Sequence, residues 1–211
     1  MIPTPADVLP VVTSASGDLR DALRKGVAYA DELQPNRNDR DPWFWSHSAR
    51  HMARKQLFSA NPQSGVEGYE MRGGVPNGGI HLRFHDMHVA RVVRSLGGTT
   101  PAPGSNPARR RAWNGVEIPI QGQLALADNV TLPPLSLIID WQDVDGEPLI
   151  HISLPRGEWA YRKSPRLYWR VPLPDDGVDL NALRFDGSDD GFGEALLDFE
   201  IDAVDLSVDG G

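Results

Sequence analysis

Three histidines and an aspartate fall within eight positions in "HLRFHDMH", residues 81–88. On a helix His81, His85 and His88 would share a face and could ligate a metal ion; on two strands joined by a tight turn they could not converge. The pattern of apolar residues decides between the two. Stepped at 100° per residue, Ile80, Leu82, Phe84, Met87, Val89, Ala90, Val92, Val93 and Leu96 scatter around the whole wheel and leave no stripe. Folded back at His85-Asp86 as a two-residue hairpin turn, Ile80, Leu82, Phe84, Met87, Val89 and Val93 fall on one face. His81, Arg83, His88 and Arg94 then share the other, with Arg91 as the one misfit on the apolar side. The hairpin separates the imidazoles and sets Arg83 between them, so no metal is expected here. A polar face of that composition suits an anion such as a phosphate or a carboxylate.

Two further groups repeat the same chemistry. His47, Arg50, His51 and Arg54 recur at spacings of three and four, on one face of any helix that holds them. The histidine pair lacks both the third ligand and the intervening glutamate of H-E-x-x-H, so a basic helix face is the better description. Arg109, Arg110 and Arg111 form a triplet close to Trp113, a pairing compatible with phosphate contacts and base stacking.

Asp140, His151 and Ser153 come together if Asp145-Gly146 is a two-residue hairpin turn, because Asp140 then lies opposite His151 with Ser153 on the same face. A nucleophilic serine is ordinarily presented on a sharp turn beside oxyanion donors, and neither is present, so a cross-strand Asp–His pair is the expectation. The "HISL" at 151–154 resembles the H-h-[ST]-h signature of two-histidine phosphoesterases, with "HLRF" at 81–84 as its partner copy. That resemblance implies acid and base roles for His81 and His151 on a phosphoester, with Ser153 as the hydroxyl position. Arg83 stands where the second copy requires Ser or Thr. In "DGSDDGFGE", Asp186, Ser188, Asp190 and Gly191 match part of a calcium loop, but Leu197 occupies the place of its bidentate glutamate.

The elements that position these residues read as helices followed by strands. Leu19, Ala22, Leu23, Val27 and Ala30 give helical spacing over 18–33, with Ser14 or Ser16 as its cap. Asp41-Pro42 restarts a helix that runs to about Leu57. Phe44, Trp45, Ser48, Ala49, Met52 and Gln56 gather on its apolar side. Short strands are expected at "GYEMR", "VEIPIQ" and "RLYWRVPL", and a long hairpin over 135–154. Leu137, Ile139 and Trp141 of that hairpin share a face with Ile150, Ile152 and Leu154. An alternating acidic strand follows in "LLDFEIDAVDLSV". These features predict a single α+β domain over 1–211, with N-terminal helices (1–60) packed on an antiparallel, meander-like sheet (68–174) and an acidic C-terminal segment (175–211).

Composition sets the outer bounds. The absence of cysteine removes disulfides, thiolate metal sites and cysteine nucleophiles, and 21 glycines with 18 prolines mark a turn-rich chain. No leader and no membrane-spanning run is read, so a cytoplasmic protein without membrane partners is expected. Net charge is −8, unevenly distributed: residues 175–211 hold 12 acids against Arg184 alone, a local −11. The resulting expectation is a non-enzymatic binding or regulatory protein without cofactor. Its basic His/Arg surfaces meet an anionic, nucleic-acid or protein partner, tempered by the acidic segment as in an antitoxin or immunity protein. The competing expectations are the two-histidine phosphoesterase and a structural or assembly component that pairs through its sheet edges.

Overall fold

The computed structural model describes residues 2–60, 68–71, 79–84, 88–95, 97–103, 110, 113, 135–157 and 165–175. The chain divides into two units, Met1–Leu180 and Asn181–Gly211, and the second lies outside the described residues. The acidic strand, the calcium-like loop, "VEIPIQ", Arg109 and Arg111 lie outside them too.

Within the first unit the α+β class holds. Among the described residues three α-helices, α1 (Pro5–Val12), α2 (Ser16–Leu33) and α3 (Pro42–Ala60), precede six strands: β1 (Tyr69–Met71), β2 (Ile80–Phe84), β3 (His88–Arg94), β4 (Ser136–Val144), β5 (Glu147–Pro155) and β6 (Leu167–Pro172). The strands form one sheet in chain order. Every pairing is antiparallel except β3 with β4, which run parallel, so the sheet is mixed rather than a pure meander. A parallel neighbour requires a long crossover, and the chain between β3 and β4 supplies it.

Local chemistry explains most of the helix boundaries. The α1 helix, which apolar periodicity did not reveal, starts where the Thr4 amide donates to Asp7 Oδ2 at 2.8 Å. Asp41 caps α3 as expected, its Oδ1 accepting from the amides of Trp43 and Phe44 at 2.8 and 3.0 Å. The predicted serine cap of α2 is not formed. Ser14 Oγ donates back to Val11 O, while Ser16 is the buried first residue of the helix and donates to Pro174 O, because α1 runs almost directly into α2 through a 3₁₀ turn at Thr13–Ala15.

The α2 and α3 helices cross at Gly26, where an added Cβ would stand 2.3 Å from Ala49 O. Trp45, Ser48, Ala49, Ala53 and Leu57 form the buried side of α3, whereas Phe44 is 41% exposed; the buried face is rotated from the expected one toward Ala53 and Leu57. The helices cover the sheet face built from Ile80, Leu82, Phe84, Leu137, Ile139, Trp141, Ile150 and Ile152. Arg24 grips Glu147 of the β4–β5 hairpin with three contacts of 2.9–3.2 Å, and Arg20 reaches Pro148 O. Tyr69 of edge strand β1 donates to Asp18 at 2.8 Å, and Ser16 is bonded to Pro174 just beyond the other edge strand, β6. Among the described residues, one edge strand and the chain just beyond the other thus both bond to the first turn of α2.

Candidate functional site

The histidine stretch is two antiparallel strands, as the apolar pattern predicts, but the register differs by one residue. Phe84 pairs with His88 and His81 with Arg91, so three residues rather than two separate the strands. A one-residue slip exchanges the faces of the second strand. His88 and Arg94 therefore leave the polar face proposed for them and turn toward the helices, while Arg91 joins His81 opposite. Arg91 is no misfit in this register.

Both displaced residues acquire structural work. His88 is 1% exposed, and its Nδ1 accepts the Leu135 amide at 3.2 Å, which anchors the chain entering β4. Arg94 lies over the Trp45 ring at 4.4 Å, with Arg40 over the same indole at 5.3 Å. Arg94 is exposed overall, yet partial loss of hydration where it lies against the helices lowers its guanidinium from the ordinary value; Asp143 opposes this and Arg40 reinforces it. Trp45 Nε1 donates to Asp31 at 2.6 Å, and Asp31 also pairs with Arg40 at 3.0 Å. Trp141 of β4 meets the same indole at 6.4 Å. Arg94 is therefore part of the joint between the helices and the sheet. Arg83 remains on the outer face, 3.8 Å from Glu70 of β1.

On the sheet face away from the helices, Asp140 and His151 are register partners as expected, and Ser153 follows on the same face. They do not form a triad. Asp140 is fully buried and accepts from Ser95 Oγ (2.5 Å), Thr100 Oγ1 (2.7 Å), Arg170 Nε (3.1 Å) and a second Arg170 nitrogen (2.7 Å). Burial raises the Asp140 carboxyl, but the bonds from Arg170, Ser95 and Thr100 outweigh it and hold it below the usual carboxylate range. Ser153 Oγ donates to Ile138 O at 3.3 Å. His151 Nδ1 is buried with no hydrogen-bond partner among the described residues. Its imidazole is pushed below the ordinary value by burial and then by the Arg170 charge, against Asp140. Ser95 and Thr100 belong to the β3–β4 crossover, so this cluster fastens the crossover to the sheet. Sequence reasoning missed Arg170, Ser95 and Thr100, because their distance along the chain carries no spacing signal.

His81 and His151 lie on the same face but on β2 and β5, three strand intervals apart, or roughly 14 Å. One phosphate cannot bridge them. Among the described residues no group of three or more His, Asp or Glu side chains is placed to hold a metal ion, and no helix is long and apolar enough to cross a membrane.

The helix-borne group is the one the structure keeps together. His47, Arg50, His51 and Arg54 lie along α3 with Trp43 and Phe58 at its two ends. Trp43 is 72% exposed and stacks on His47 with ring centroids 5.4 Å apart and planes within 9°. Arg50 approaches His47 Nδ1 at 3.2 Å, and Arg54 lies 5.2 Å from the centre of the Phe58 ring. No acidic residue occurs between Pro42 and Ala60. Arg110 is exposed, whereas Trp113 is buried with its indole N–H donating to Pro101 O at 3.0 Å, and is not available to stack beside it. No family model matches the chain, and no curated protein and no solved structure is significantly similar to it.

Proposed function

We propose that this protein binds an anionic partner through the basic side of α3 and does not transform it. The observation that carries the reading is a 19-residue helix whose half-buried Arg50 and Arg54 and exposed Lys55 stand with two histidines and no acid. A single-sign surface of this kind raises the local concentration of opposite charge and offers guanidinium forks for phosphate or carboxylate oxygens. The polar groups on the opposite side of the sheet support a binding rather than a catalytic reading. Asp140 and Ser153 are engaged internally, and His81 stands three strands from His151. The acidic segment 175–211 contributes −11 and makes the whole chain −8, so its field opposes a polyanion and tempers the affinity of α3.

The test is retention on immobilised heparin in low salt. The full chain is expected to be retained, and the Arg50→Ala, Arg54→Ala double variant to elute at clearly lower salt. Equal elution of the two proteins would remove α3 from the binding surface.

A further inference from the structure

We infer that the anionic partner of α3 is single-stranded nucleic acid, with Trp43 as the base-stacking platform and Arg50 and Arg54 as the phosphate contacts; this rests on the polyanion reading above. Residues 43, 47, 50, 54 and 58 follow one another at spacings of four, three, four and four, which lays them in a single stripe. The stripe is about 22 Å long at 1.5 Å per residue, the length of about six stacked nucleotides at 3.4 Å each.

Its order is aromatic, imidazole, two guanidiniums, aromatic. The Trp43–His47 stack occupies one face of the indole, and a ring that is 72% exposed leaves the other face to solvent. The His47 ring edge is also held by Arg50 at Nδ1, so the platform is ordered before any ligand arrives. Arg54 is likewise laid against Phe58.

A purely anionic ligand, such as an acidic peptide or a sulfated polysaccharide, would use the guanidiniums and leave the indole idle. A duplex keeps its bases inside the helix, out of reach of a flat ring on a helix surface. Only an unpaired strand offers phosphates and free π-faces together.

The experiment measures fluorescence anisotropy of labelled dT20 at low salt against the full chain, with heparin, a duplex of equal length and polyglutamate as competitors. The wild-type chain is expected to bind dT20 more tightly than the duplex or polyglutamate. Trp43→Ala, an exposed position whose loss leaves the core intact, is expected to weaken dT20 binding roughly 5- to 150-fold, the range for one base–aromatic stack, and to leave heparin retention within twofold. Trp43→Phe is expected to restore most of the loss. If heparin and dT20 both bind and neither responds to Trp43→Ala, the polyanion reading stands and the single-strand assignment falls. Tighter binding of the duplex or polyglutamate has the same consequence. No binding to any of these ligands overturns both.

Discussion

Asp140 accepts four hydrogen bonds while fully buried, from Ser95 and Thr100 of the crossover and from two nitrogens of Arg170 on β6. Removing the carboxylate strands the Arg170 guanidinium and two hydroxyls at once. Asp140→Ala is therefore expected to cost about 3 kcal/mol, read as a lower urea midpoint; a loss under about 1 kcal/mol would show that the crossover is held elsewhere. His151 makes the same region sensitive to acid. Its folded value is lowered, so below the ordinary imidazole value of 6.5 the unfolded chain takes up more protons than the folded one. The contribution of His151 is fully present above 6.5 and is lost as pH falls from there toward the lower folded value. Urea midpoints between pH 8 and pH 5 are expected to fall less steeply for His151→Gln than for the wild-type chain. Parallel slopes would dissociate His151 from the effect.

At the scale of elements, the α2–α3 crossing rests on the missing side chain of Gly26. Alanine at a mid-helix glycine ordinarily adds up to about 1 kcal/mol of helix stability. Here its Cβ would stand 2.3 Å from a backbone carbonyl and 3.2 Å from Ala53 Cβ, and neither is a flexible tip that can swing away. The helices must separate, so Gly26→Ala is expected to destabilise by about 1–3 kcal/mol in thermal or urea unfolding. An unchanged or raised midpoint would mean that the crossing is looser than the distance implies. The two hairpins show how far turn chemistry reaches. Asp145 and Gly146 adopt φ of 53° and 89°, the positive values of the two-residue turn read from their types, and the β4–β5 register follows from them residue by residue. His85-Asp86 contains no glycine that demands such a turn. The β2–β3 register was free to include one more residue, and His88 and Arg94 changed faces with it.

For the whole molecule, charge is the property that composition controls most directly. Neutralising acids in 175–211 by Asp→Asn changes is expected to raise the affinity of the chain for heparin or dT20 at low salt. The gain should shrink toward physiological ionic strength, where the screening length falls to about 8 Å. A gain that survives at high salt would not be electrostatic in this sense.

The residue types alone determined the α+β class, the cap of α3, the apolar faces of β4 and β5 and the Asp140–His151 pairing. Each of these is a local property: a period, a cap or a turn that neighbours along the chain enforce. Tertiary structure decided the parallel joining of β3 to β4, the burial of Trp113 and His88, the capture of Arg94 by Trp45 and the four donors gathered on Asp140. These depend on contacts across tens of residues, where the free energy of burying a ring or satisfying a carboxylate is settled by whatever the fold brings near, and no spacing in the chain records it.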